Sequence, residues 1–297
     1  MIRLAIPTSL LLFTACAGPP KDIGALSDGS GSEGSEGSSG GGTVSASSTT
    51  AATAQTDDGE AESGTRLDVG DGSDDASGSD DGTKLDVPGE CACTADQICT
   101  PDGCYGGQIF LNFDGPNMTL GSDDATQDET SISELSGQMS AHGGDAQERA
   151  ALVAAVRTRF ADVSLWITDE RPTQGEYAMI VLGDNLAAFG GALEISPLNC
   201  GAANPHSVAF AGIYAGDALD VDVSATVVSH GIGHVSGLDH VDDMDAIMGT
   251  FAYPDSSFSP GCLPLAGGAG CAGTHGAFCA ANQQDSLAEL QALYGAG

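Results

Sequence analysis

The sequence predicts an α+β domain that follows a long segment unable to fold by itself. Three observations predict it. From Gln108 to Tyr294, short apolar runs of strand type are interspersed with segments of helical period. From Ala17 to Glu90 there is no aromatic residue at all. After His240 the pattern loses regularity, and Cys262, Cys271 and Cys279 fall in a stretch rich in Gly and Pro, with Cys200 further upstream.

Residues 1–15 read as an export signal: Arg3 gives the charged start, Leu10–Phe13 close an apolar core, and small residues lead to Cys16. The ending Phe13-Thr-Ala-Cys16 resembles a bacterial lipobox. That resemblance implies lipidation at Cys16 and an exported cell-surface or outer-membrane lipoprotein. The alternative is ordinary signal cleavage and a free secreted protein. The apolar run is too short to span a bilayer and nothing comparable recurs, so a lipid at Cys16 would be the one membrane attachment.

Residues 16–90 form an acidic Gly/Ser-rich linker with 16 acidic and 3 basic residues. Such a segment cannot bury enough apolar surface to offset its ordering entropy, so it is expected to be a disordered, self-repelling tether. The near-copies Gly64–Val69 and Gly82–Val87 are either a short recognition tag or low-complexity drift. The whole chain of 297 residues carries a formal charge of −34 and only two lysines, Lys21 and Lys84, which argues against nucleic acid and anionic membrane surfaces as partners. Residues 91–104 hold Cys91, Cys93, Cys99 and Cys104. In an exported chain this spacing favours two disulfides in a small knot over a zinc cluster, which needs closer pairs. The pairing is left open.

The globular domain is expected over 105–297. Gln108–Phe113 is a first strand closed by Asp114-Gly115-Pro116, and Ser131–Ser140 is a short helix or loop. Ala146–Ala161 is a helix with Leu152, Val153, Val156 and Phe160 on one side. Val163–Thr168, Tyr177–Leu182 and Ser207–Tyr214 are strands, the second of them buried. Asp220–Val235 is a helix, and Gln283–Tyr294 a closing helix with Leu287, Leu290 and Leu293 at helical spacing.

Three of the six histidines stand within eleven residues, at His230, His234 and His240. The first two share one face of a helix, and Gly237 can end it and turn His240 back toward them. Three neutral imidazoles hold a catalytic zinc and leave a fourth position for water. The stretch His230-Gly-Ile-Gly-His234-Val-Ser-Gly237-Leu-Asp-His240 resembles the metzincin zinc-peptidase pattern H-E-x-x-H-x-x-G-x-x-H, with Met248 as its Met-turn residue and a matrixin-like Gly237–His240. The order of elements is also the one expected of that family. The resemblance implies a twisted mixed sheet with two long helices on one side of a cleft and an irregular, disulfide-bonded C-terminal subdomain. It further implies zinc as cofactor and a protein or peptide as substrate or ligand, lying along a rim to which Ala187–Ser196 contributes.

One position departs from the family. Where its glutamate takes a proton from water and delivers it to the leaving amine, this chain has Gly231, so no catalytic residue is assigned. Positioned acid–base groups contribute about 10²–10⁴ in rate. Ser229 lacks the basicity and Asp239 the spacing to replace it. Peptidase activity is therefore expected to be strongly reduced or absent. The alternatives are an active endopeptidase recruiting another carboxylate, and a structural or adhesive lipoprotein. His142 and His206 are expected to be solvated, His275 to be structural, and Asp242, Asp243 and Asp245 to form a solvated acidic loop.

Overall fold

The computed structural model describes residues 93–297 apart from Asp184 and Gly268; the export signal, Cys16, the acidic linker and Cys91 lie outside the described residues. The domain is α+β. Its main sheet has five strands: β1 (Gly107–Asn112), β2 (Leu165–Thr168), β3 (Ala178–Leu182), β4 (Glu194–Ile195) and β5 (Val208–Ala211). Their spatial order is β2-β1-β3-β5-β4. The first four run parallel, and β4 lies antiparallel to β5 at the edge.

Parallel strands are covered on both faces and so read as unbroken apolar runs. Every residue of β3, Ala-Met-Ile-Val-Leu, is buried. On one face Ile109, Leu111, Ile180, Leu182, Ala209 and Ala211 meet the helices α1 (Ala146–Arg159) and α2 (Val221–Val235) through Leu152, Val156, Val228 and Ile232. On the other, Phe110, Met179, Val181, Phe210 and Ile195 pack under Met118, Ile132, Leu135 and Met139. That second layer comes from the segment between β1 and α1. It holds a 3₁₀ turn at Ser133–Leu135 and short strands at Asn117–Leu120, Glu129–Thr130 and Gly137–Gln138, where the sequence offered only a short helix or a loop. Strands of two to four residues are too short to display a period.

Local chemistry sets the helix ends. Asp145 caps α1 in a reciprocal box with Glu148, and Asp220 caps α2 by accepting from the Asp222 amide. The third helix, α3 (Ser286–Tyr294), is capped by Asp285 and starts later than its apolar spacing suggested. Gln283–Gln284 instead pair with Leu263–Pro264 as a small antiparallel ladder.

Two disulfides, Cys200–Cys271 and Cys262–Cys279, tie the region after α2, in keeping with the expected disulfide-bonded subdomain. The N-terminal pairing is seen only in part, since Cys91 lies outside the described residues. Ile98–Thr100 and Gly103–Tyr105 form a hairpin in which Cys99 stands opposite Cys104, but Cys104 is bonded to Cys93 and Cys99 is free and exposed. Among the described residues, the expected two-bridge knot is one bridge.

Loop-closure entropy ranks the two C-terminal bridges. Cys200–Cys271 spans 71 residues and Cys262–Cys279 spans 17, so losing them should cost about 4 and about 3 kcal/mol respectively. Urea unfolding of Cys200→Ser/Cys271→Ser and Cys262→Ser/Cys279→Ser checks this. The reverse order would show that native-state strain, not chain entropy, governs these links.

Candidate metal centre

Helix α2 carries His230 and His234 one turn apart, both fully buried. The helix ends in a Schellman arrangement: the Gly237 amide donates to the His234 carbonyl (3.0 Å) and the Leu238 amide to the Gly233 carbonyl (2.9 Å). Gly237 has φ +97°, a conformation open to glycine at little cost. The reversal brings His240 back, half-buried, to the other two.

The three Nε2 atoms lie 3.0, 3.0 and 3.2 Å apart. His230 Nδ1 donates to the Ile247 carbonyl at 2.6 Å, and His234 Nδ1 to the Leu238 carbonyl at 2.8 Å. A carbonyl only accepts, so each Nδ1 holds the proton and each Nε2 presents a lone pair. Burial and then the neighbouring imidazoles hold the pKa of His230 well below the ordinary histidine value, burial first brings His234 down to about 3, and burial lowers His240. Neutral rings with converging lone pairs are what a metal ion requires. Nitrogens about 2.0–2.1 Å from a tetrahedral ion stand about 3.3 Å apart, close to the observed edges. The three histidines fit a metal ion.

Met248 is fully buried beneath α2. A β-carbon on Gly233 would run into Met248 Sδ and come within 3.0 Å of its Cε, so this glycine lets the methionine pack closely against α2. Asp239 is fully engaged. Its oxygens accept from the Gly270 amide (3.0 Å), the Cys271 amide (2.8 Å) and His275 Nε2 (3.2 Å), and its backbone meets Gln284. It anchors the Cys271 loop against the turn that presents His240, with both carboxyl oxygens hydrogen-bonded. His275 is buried and structural, with Nδ1 2.7 Å from Glu289 Oε2.

His142 corrects its expectation. It is buried, edge-on to Phe113 at 5.1 Å, and its Nδ1 accepts from the Gly144 amide. His206 is half-buried against Tyr177. The polar sequence around both gave no sign of the aromatic rings they meet.

Sequence reasoning missed Glu194. It pairs with Ala211 across the β4–β5 ladder, on the sheet face turned to α2. Its side chain is buried, its Oε1 has no hydrogen-bond partner among the described residues, and burial raises its pKa well above the ordinary carboxylate range. A β-carbon at Gly231 would meet Glu194 Oε1 at 3.1 Å, Cγ at 3.3 Å and Cδ at 3.5 Å. The space that Gly231 leaves empty is thus filled by a carboxyl from the neighbouring strand. The only sequence signal was an acid between Leu193 and Ile195, with no spacing to link it to the histidines.

No protein-family model matches the chain, and no curated protein does either. Among solved structures it is similar to metalloproteinase-II from Bacteroides fragilis, at 14% identity and a TM-score of 0.29, over 51% of this chain and 48% of that one. The chain therefore spans about half the length of that structure. A likeness this low carries no argument, and the site stands on its own geometry.

Two outcomes follow from the packing. In an open helix Gly→Ala gains up to about 1 kcal/mol, but Gly233→Ala should lose about 1–3 kcal/mol by overpacking against Met248. Gly231→Ala, facing only the movable end of Glu194, should be close to neutral. Urea melts of the two variants decide, and equal stabilisation would remove the packing account. The second outcome concerns pH. Burial alone would lower the His275 pKa, yet its bonds to Asp239 and Glu289 outweigh that and hold it at about 9, against 6.5 for a free histidine. A raised pKa means a contribution present in full below the unfolded value and lost as pH rises through about 9. The melting-temperature gap between the parent and His275→Gln should therefore be largest near pH 6 and shrink by pH 10. A gap that widened with pH would contradict this ion-pair assignment.

Proposed function

We propose that this chain is a metzincin-like zinc-peptidase domain on an exported, lipid-anchored protein, with a protein or peptide as its substrate or ligand. One observation carries the reading: three imidazoles, two of them fully buried, whose Nε2 atoms converge within 3.0–3.2 Å while backbone carbonyls hold the Nδ1 of His230 and of His234. His230, His234 and His240 would hold the ion. Zinc bound there supplies Lewis acidity that polarises a carbonyl and acidifies water.

The chain's own groups set the rest. The carbonyls of Ile247 and Leu238 orient the rings, and Met248 supports the floor between them. His230 and His234 are fully enclosed, so a ligand approaches from the side of half-buried His240. Strand β4 ends the sheet there and can accept an extended peptide beside it. Helix α2 contributes no general base at the family's position, since Gly231 has no side chain, and Asp239 beyond it is engaged by the Cys271 loop and His275.

Lipidation at Cys16, a cell-surface or outer-membrane location and the tether function of residues 16–90 belong to the same proposal. They are supported by the lipobox-like sequence and the charge of the linker. The membrane is then met only through the lipid, and a net charge of −34 argues against nucleic acid as a partner.

Metal analysis tests the reading. Purified full chain should carry about one zinc, removable by a chelator, and His234→Gln should reduce the affinity at least tenfold. A chain free of stoichiometric zinc after equilibration with the ion would instead favour a structural or adhesive protein.

A further inference from the structure

We propose that Glu194, on strand β4, supplies the general-base carboxylate that helix α2 lacks at Gly231. The inference deepens the zinc-peptidase reading and rests on it. The geometry comes first. The Glu194 carboxyl lies 3.1–3.5 Å from the place of a residue-231 β-carbon. A glutamate grown on that β-carbon would carry its own carboxyl carbon about 2.5 Å away, two single bonds on. The two side chains would compete for one volume, so the carboxyl of the strand occupies space that a glutamate at 231 would need.

Placement in the sheet explains how a strand residue reaches there. Glu194 faces Ala211 in the ladder and shares its face, which is packed on α2. Its neighbour Ile195 points to the opposite core. With glycine at 231, the atoms nearest to the place of a β-carbon all belong to this side chain. Buried polar atoms almost always find partners, and one that does not calls for a reason. Glu194 is 5% exposed and its Oε1 is unpartnered among the described residues. Leucine or isoleucine would fill that position without the desolvation cost, as in the rest of the core. A carboxyl retained there against stability fits a site that uses it.

The chemistry balances with no further reactant. Water loses a proton to the Glu194 carboxylate as its oxygen bonds to the peptide carbonyl carbon. The C–N bond then breaks, and the same proton passes from Glu194 to the departing amine. Glu194 ends as it began. The two products are a carboxylic acid and an amine.

Four forms of the full chain test this: the parent, Glu194→Gln, Gly231→Glu, and Gly231→Glu/Glu194→Ala, which moves the carboxylate from strand to helix. Each is loaded with zinc and given a quenched fluorogenic peptide library and denatured casein. Glu194→Gln should keep its zinc with affinity within about threefold and lose about 10²–10⁴ in kcat with little change in KM. Gly231→Glu alone should gain nothing, because it crowds two carboxyls into one pocket, whereas the double variant should recover at least tenfold of the loss. A readout without metal or substrate accompanies these: Glu194→Leu should raise the melting temperature of the zinc-free protein. Several results overturn the proposal. They are cleavage by Glu194→Gln at the parent rate, loss of zinc affinity together with activity (Glu194 as a fourth ligand), a lowered melting temperature in Glu194→Leu, or a zinc-loaded parent that cuts neither substrate. Failure of the parent to bind zinc would defeat the underlying function instead.

Discussion

Three imidazole nitrogens at 3.0–3.2 Å stand close enough to share one cation, and the helix, the turn after it and the loop behind that turn hold them there. The parallel strands supply a flat apolar bed on which α2 lies with hardly a polar residue showing. The Schellman turn at Gly237 reverses the chain. Asp239 then fastens that turn to the Cys271 loop through two backbone amides and His275. A metal ion held by these three histidines would couple its binding free energy to folding, since the unfolded chain offers no preformed site.

Helix α2 is a poor helix by propensity, with two glycines between its histidines, each worth about 1 kcal/mol relative to alanine. Each marks a place where something else must come close. At Gly233 it is Met248, which rises from below into the gap. At Gly231 it is the carboxyl of Glu194, which enters from the edge strand. Read alone, the second glycine is a missing catalytic side chain. In three dimensions it is space against which another side chain packs, and the proposed role of Glu194 starts from that contact.

How much of this was legible in the sequence follows from how local each feature is. The histidines, the glycine turn and Met248 were readable because ligands on one helical turn and its C-terminal cap are fixed by short spacing. The buried β3 and the α1 pattern were readable because the full burial of one and the amphipathic period of the other leave a signature along the chain. The layer under Phe110 and Phe210 was not, because it is built from strands of two to four residues with no period. Glu194 was invisible for a different reason: its approach to Gly231 is made across the β4–β5 ladder, and no spacing encodes it. His142 was misjudged similarly, since its partner Phe113 lies on the far side of a loop. The lipobox, the linker and Cys91 lie outside the described residues, so those readings remain expectations from the sequence.

The most direct measurement of the central claim is anomalous diffraction at the zinc edge from crystals of the zinc-soaked full chain. One peak is expected within bonding distance of the Nε2 atoms of His230, His234 and His240, with the Glu194 carboxyl beside the site and not bonded to the ion. A peak elsewhere, no peak, or a Glu194 oxygen within the coordination sphere would contradict it.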